Sequence, residues 1–233
     1  MLLTAAGDQY IGGFAANLFE GDGSYIEVTG AHYAGQWRGG TRHGRGVQAY
    51  VDGGIYDGDF KDDLRNGLGR HRDDDGGVYE GEWSIDARNG QGQHTAANGD
   101  IYQGGFTDDQ FSGDGVCMAA SGDRYEGPWL EGQRHGRGRQ TYADGGVYTG
   151  DFSHDRLMGL GQYIYPDGSS YGGEWQADLR QGQGLYLTVD GDRYWGAFAK
   201  DFFEGEGTYI SVNGDQYEGL WLVGKRHGRG IQR

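Results

Sequence analysis

The chain is nearly without cysteine: Cys117 stands alone among 233 residues, so no intramolecular disulfide can form, which suits a reducing cytosol. It also lacks long hydrophobic runs, and nothing approaches the roughly 18 apolar residues that a membrane span requires. The stretch from Met1 to Ala6 is too short for a signal peptide and lacks its basic flank. Positive charge is scarce, with 20 Lys and Arg against 35 Asp and Glu. The net charge of −15 argues against generic nucleic-acid binding and against attraction of the whole surface to anionic lipid. Any anion contact must be local.

Constellations that carry chemistry are missing too. The seven histidines, His32, His43, His71, His94, His135, His154 and His227, stand singly. None lies at metal-ligand spacing from Cys117 or another histidine, which leaves only a site shared between copies or protomers. Asp73, Asp74 and Asp75 suggest calcium by composition, yet they run into Gly76 at a turn and lack EF-hand spacing, so a solvated turn is the better reading. No serine sits in a nucleophile elbow. Gly-x-Gly recurs, but never between a strand and the start of a helix, so a phosphate cradle is not expected. Catalytic residues, metals and cofactors are therefore all expected to be none. Helical periodicity is absent throughout.

What the chain does have is a repeat. Tyrosines fall every 23 residues at Tyr10, Tyr33, Tyr56, Tyr79, Tyr102, Tyr125, Tyr148, Tyr171, Tyr194 and Tyr217, without insertion or deletion. Two residues after each stands a glycine, Gly12 to Gly219, and two further on an aromatic that alternates Phe14, Trp37, Phe60, Trp83, Phe106, Trp129, Phe152, Trp175, Phe198, Trp221. A Gly-x-Gly follows in every copy, and another glycine precedes each tyrosine by three. The repeat thus absorbs most of the 50 glycines, and the aromatics are plentiful, so neither a disordered nor a collagenous chain fits. A fixed short period signals repeat architecture. One domain over residues 1–233 is expected, with nine full repeats from Tyr10 and a truncated tenth from Tyr217.

Each repeat carries a turn signal before its tyrosine, as in Asp52-Gly53, Asn98-Gly99 and Asp167-Gly168. Read as two-residue type I′ hairpins, these dipeptides join antiparallel strands. Asp167-Gly168 as the loop would pair Pro166 with Ser169 and Ile164 with Tyr171. That register sets Tyr171, Gly173 and Trp175 on one face with Ile164 and Pro166 and their counterparts, among them Ile26, Ala49, Met118, Leu187 and Ile210, and Val28, Val51, Val189 and Val212. The other face, with Asp57, Asp59, Glu80, Glu82 and Glu174, is expected to be wet. The glycine between the two aromatics should leave a gap in which rings of neighbouring strands interdigitate. With two strands per repeat, ten repeats would extend on the order of 95 Å. The fold class expected is all-β: an elongated, twisted single-layer antiparallel sheet of tandem hairpins.

Tyr-x-Gly-x-(Trp/Phe), Gly-x-Gly and Asp/Asn-Gly on a 23-residue period resemble the MORN (membrane occupation and recognition nexus) repeat across essentially the whole chain. The resemblance implies an aromatic groove and scaffolding or peptide binding, as in protist cytoskeletal scaffolds and radial-spoke proteins of cilia. It points to a cytoplasmic, cytoskeleton-associated protein at a cilium, flagellum or cell cortex, with cytoskeletal or axonemal partners and no nucleic acid. The candidate partner-binding residues are Trp37, Trp83, Trp129, Trp175, Trp221, Phe60, Phe106, Phe152, Tyr56, Tyr79, Tyr102, Tyr125, Tyr148 and Tyr171. The same rings could instead pack on one another as the sheet's core.

A longer period lies above the short one. Arg42-His43-Gly44-Arg45, Arg134-His135-Gly136-Arg137 and Arg226-His227-Gly228-Arg229 are spaced by 92 residues, as are Phe19, Phe111 and Phe203. Sheet twist would place successive basic clusters about 38 Å apart on alternate sides of a rod. They are either solvated loops or docking points for acidic proteins or phosphoinositide headgroups, through Arg42, His43, Arg45, Arg134, His135, Arg137, Arg226, His227 and Arg229. The alternative function is accordingly a peripheral membrane module. Uncapped sheet ends suggest a homodimer, an end-to-end oligomer, or a piece of a longer array.

Overall fold

The computed structural model describes residues 2–233 and contains no helix among them. It divides into two compact units, Met1–Ala120 and Ser121–Arg233. The first holds β1 (Leu2–Leu3), β2 (Gln9–Ala15), β3 (Leu18–Ile26), β4 (His32–Arg38), β5 (Thr41–Ala49), β6 (Ile55–Lys61), β7 (Leu64–Arg72), β8 (Val78–Ser84), β9 (Ala87–Thr95), β10 (Ile101–Thr107) and β11 (Gln110–Met118). The second holds β12 (Arg124–Leu130), β13 (Gln133–Arg134), β14 (Gly136–Thr141), β15 (Val147–Ser153), β16 (Arg156–Ile164), β17 (Ser170–Gln176), β18 (Leu179–Leu187), β19 (Arg193–Ala199), β20 (Phe202–Ile210), β21 (Gln216–Leu222) and β22 (Lys225–Gln232). Within each unit the strands pair antiparallel with their neighbours in sequence, giving an open sheet built of hairpins.

The pairing corrects the expected register by one residue. Tyr163 faces Tyr171 and Ile164 faces Ser170. Tyr165 N donates to Ser169 O at 2.9 Å and Gly168 N to Tyr165 O at 2.9 Å, so Pro166, Asp167 and Gly168 form a three-residue loop, closed by Gly168 at φ 88°. The Asp167 carboxylate accepts the Ser169 amide at 2.8 Å, which explains the aspartate at that position. A slip of one residue turns a strand over. Ile26, Ala49, Met118, Ile164, Leu187 and Ile210 therefore lie on the wet face, away from the tyrosines, and Val28, Val51, Val189 and Val212 sit on exposed loop tips. The residues paired with the tyrosines are instead Tyr25, Gln48, His71, His94, Gln140, Tyr163, Tyr186, Tyr209 and their equivalents.

The two-residue type I′ turn exists, but at the other hairpin. Ala16 and Asn17 have φ 50° and 65°, Asp62 and Asp63 51° and 71°, and the pattern recurs down the chain. Asp63 accepts the Arg42 amide at 2.9 Å, and Asp86 the Arg65 amide at 2.8 Å, so these turns dock on the preceding repeat.

Both glycines of Gly-x-Gly find a use. The second pairs across the strands with the glycine that follows the tyrosine, as Gly69 does with Gly58, and the tyrosine ring covers that pair. A methyl on Gly69 would stand 2.3 Å from the Tyr56 hydroxyl. The expected gap is thus filled by the tyrosine of the same strand rather than by rings from neighbours. The first glycine adopts a left-handed bulge, Gly159 at φ 61° for example. Asp59, Glu82, Asp151 and Glu174 on the opposite face accept the next backbone amide, from Leu68, Gln91, Leu160 and Gln183, at 2.9–3.3 Å.

Candidate functional site

The repeating aromatic row is the core. Register tyrosines from Tyr10 to Tyr217 are at most 7 % exposed, and each donates its hydroxyl to the carbonyl three residues on, as Tyr56 to Asp59 at 3.0 Å and Tyr171 to Glu174 at 2.9 Å. Each ring is gripped edge-on by the aromatic of its own strand, and most also by that of the following repeat. Tyr33 meets Trp37 at 5.1 Å and Phe60 at 5.2 Å; Tyr148 meets Phe152 at 5.1 Å and Trp175 at 5.5 Å. Burial pushes the Tyr33, Tyr79, Tyr102 and Tyr194 hydroxyls up to about 12, and raises those of Tyr56, Tyr148 and Tyr171 further. All fourteen residues expected to bind partners belong to this buried row: Trp37, Trp83, Trp129, Trp175, Trp221, Phe60, Phe106, Phe152, Tyr56, Tyr79, Tyr102, Tyr125, Tyr148 and Tyr171.

Nine residues after each tyrosine a second layer closes over the ring. Phe19, Phe111 and Phe203 stack flat on Tyr10, Tyr102 and Tyr194 at 3.7–3.8 Å. Over Tyr148 the place is taken by Leu157, itself buried, and elsewhere by an arginine: Arg65 lies 4.1 Å from the Trp83 ring centre and 5.8 Å from Tyr56, while its Nε meets Asp86 of the following turn at 3.2 Å.

The three basic clusters divide accordingly. Arg42 and Arg134 point inward, ion-paired with Asp63 at 3.2 Å and Asp155 at 3.0 Å, and each bonds a glutamine carbonyl, Gln48 or Gln140, at 2.9 Å. Arg226 likewise bonds Gln232 at 2.7 Å and covers Tyr217. The 92-residue spacing of these clusters is therefore partly an inward device, an arginine with a glutamine six residues on. His43 lies 3.7 Å from Asp62, and the His135 ring 5.8 Å from that of His154. Arg45, Arg137 and Arg229 occupy the opposite face, where Arg45 meets Asp57 at 3.1 Å and Arg137 is paired in register with Asp151. Arg229 and His227 lie on β22, exposed. No group of three or more metal-ligating side chains occurs among the described residues.

One tryptophan falls outside the repeat, and reading by register passes over it. Trp195 of β19 points to the wet face and is 66 % exposed. Its counterparts after the other tyrosines, Ile11, Ala34, Asp57, Glu80, Gln103, Glu126, Thr149, Gly172 and Glu218, are mostly polar or small, which is the signal that could have singled it out. Across the sheet it stands between Leu185 and Thr208, with Glu218 and Ile231 continuing the row. Trp195, Glu206, Thr208, Glu218, Leu220, Arg229 and Ile231 line a groove of about 940 Å³.

A family model described as MORN repeat matches residues 33–55, 56–78, 79–101, 102–124, 125–147, 148–170, 171–193, 194–216 and 217–233, each beginning on a register tyrosine. The copy at Tyr10 precedes the match but shares its hydroxyl bond, to Gly13 at 3.1 Å. No curated protein matches the chain. Among solved structures, the TCP domain of Drosophila melanogaster SAS-4 (dCPAP), in complex with a proline-rich motif of Ana2 (dSTIL), is similar with a TM-score of 0.40 and 13% identity, over 66% of this chain and 85% of that one. The CPAP G-box domain scores 0.36 at 12% identity, over 91% and 98% of the two chains. The Danio rerio CPAP TCP10 domain scores 0.35 at 8%, over 97% and 99%. Scores this low transfer nothing about function.

Proposed function

The chain belongs to the MORN-repeat family, a non-catalytic repeat used in protein and membrane interaction, and from that premise we propose that it is a non-enzymatic scaffold of the cytoskeleton, at a cilium or flagellum axoneme or the cell cortex. Residues 1–233 act as one array whose partners are cytoskeletal or axonemal proteins.

The observation that supports this reading is how the repeat divides its residues. Those that recur are spent on the frame: the tyrosine and, from Trp37 on, the alternating Phe or Trp are buried, and the glycine pair lies beneath the tyrosine ring. Those that change from copy to copy stand on the opposite face and the loop tips. A frame of constant geometry with a varied exterior suits the display of several partner contacts, whereas the buried rings fix the frame. Lipid binding through the arginine loops is less favoured, because Arg42 and Arg134 would have to leave Asp63 and Asp155 and uncover the rings beneath.

Detergent extraction of the source cell followed by proximity labelling from the tagged chain tests this. The chain should stay with the insoluble cytoskeleton and label its structural proteins. Complete release by detergent would overturn the reading, particularly with salt-sensitive flotation on phosphoinositide liposomes that is lost when Arg45, Arg137 and Arg229 become serine.

A further inference from the structure

Two features shape the groove around Trp195. The first is the tryptophan itself. Nine other copies form the same strand pairing with an aspartate, glutamate, glutamine, threonine, alanine, glycine or isoleucine there, so the fold does not demand an aromatic. The second lies two residues on. Asp59, Glu82, Asp151 and Glu174 hold the bulge amide in their repeats, whereas β19 and β21 carry Ala197 and Leu220 at that position and, like β2, β10 and β12 with Gly13, Gly105 and Pro128, do without the carboxylate. A small residue beside the indole and an apolar one beyond it leave the groove open and partly greasy.

Charge identifies what it takes. Glu206 lies diagonal to Trp195 on the neighbouring strand, and Glu218 lies one strand further along the Trp195 row. Both are exposed, and neither forms an ion pair among the described residues. Trp195 stacks on no other described ring, so its face is free. A tryptophan face flanked by two unpaired carboxylates is a site for a cation, since the ring quadrupole and both charges act in the same sense. Arg229 stands on β22, two strands from Glu206 and on the strand next to Glu218, and Arg193 two residues before Trp195; the two arginines bound the site at its edges.

We propose that this face of β18 to β22 binds a partner segment in extended form, seating a Lys or Arg side chain on Trp195 between Glu206 and Glu218 and apolar neighbours on Leu185, Leu220 and Ile231. The inference deepens the scaffold reading by naming the chemistry of one of its partners. Its test uses purified protein, so it can fail while the cellular localisation stands.

The probe is an acetylated, amidated hexapeptide alternating Lys and Val, titrated into the ¹⁵N-labelled chain of residues 1–233 at about 0.15 M salt, where bulk attraction to the acidic surface is screened. The Trp195 indole N–H resonance should shift and saturate. Trp195→Ala and the double change Glu206→Gln with Glu218→Gln should each weaken binding roughly tenfold while leaving circular dichroism and melting unchanged. A matching Glu–Val peptide should not bind. Equal binding of both peptides would overturn the proposal, as would unchanged affinity in Trp195→Ala or shifts scattered over the acidic surface without saturation at Trp195.

Discussion

Gly172 and Gly173 are neighbours on β17, identical in chemistry, and their alanine variants should behave oppositely. A methyl on Gly172 meets nothing within 4 Å. Its main effect is to remove freedom from the unfolded chain, so Gly172→Ala should be neutral or stabilise by about 0.5–1 kcal/mol. A methyl on Gly173 would stand 2.5 Å from the Gln183 carbonyl, 2.6 Å from the Gly184 Cα and 2.6 Å from the Tyr171 hydroxyl. Two of these are backbone, so the paired strands must part at this point and the ring seated on the glycine pair is displaced with them. Tyr171 is fully buried, and a buried tyrosine removes roughly 150–250 Å² from water, worth about 4–6 kcal/mol at ~25 cal/mol per Å². Its bond to Glu174 O adds about 1 kcal/mol. Partial accommodation lowers the total, and a loss of at least ~3 kcal/mol remains. Urea unfolding followed by tryptophan fluorescence and far-ultraviolet dichroism measures both variants. A Gly173→Ala midpoint within ~1 kcal/mol of Gly172→Ala would refute the account of the glycine pair as the tyrosine's seat.

Other consequences are equally direct. Arg65→Lys keeps the charge but loses the donor to Asp86 O and the flat contact with Trp83, and should cost about 1–2 kcal/mol; Asp86→Asn, on a half-exposed carboxylate, should cost less, and the reverse order in thermal melts would contradict the stacking role. Ile85 sits at φ 51° and 70 % exposed in a type I′ turn, so Ile85→Asn should raise the melting temperature through about 1 kcal/mol of relieved strain; no rise would count against it. The buried tyrosines ionise later in the folded state, at about 12 for Tyr33, Tyr79, Tyr102 and Tyr194, than in the unfolded chain at 10.0, so stability is intact below pH 10 and falls as pH rises towards 12. Absorbance at tyrosinate wavelengths should rise together with unfolding in that window; titration of the register tyrosines without unfolding would be the contrary result. Burial lowers His71 and His94 below 6.5, so the unfolded chain takes up protons first and stability should fall as pH drops below about 6.5; His71→Gln with His94→Gln should flatten the dependence between pH 7 and 5.

The repeat, the strand type and the antiparallel pairing were legible because tyrosine, glycine and aromatic recur in phase. The faces were not. A period of 23 is odd, so exactly one of the two turns in each repeat must reverse the in-out alternation, and a two-residue loop is the one that does. Asp167-Gly168 has the sequence of such a loop, whereas Ile85-Asp86 or Val223-Gly224 does not look like one, yet the latter adopt it because the preceding repeat's backbone docks on the turn. The aromatic row was visible as a row, but its burial depends on the bulge and on the arginines that fold over it, neither of which announces itself in composition. Trp195 escaped notice for the converse reason: it obeys no period.

That odd count also governs how such a chain can change length. Losing or gaining one residue within a strand inverts everything up to the next turn and drives tyrosine out and glutamate in, while recombination that adds or removes 23 residues leaves each ring where it was. Change in length is thus quantised, and a residue such as Trp195 stays a whole number of repeats from its counterparts after the other tyrosines.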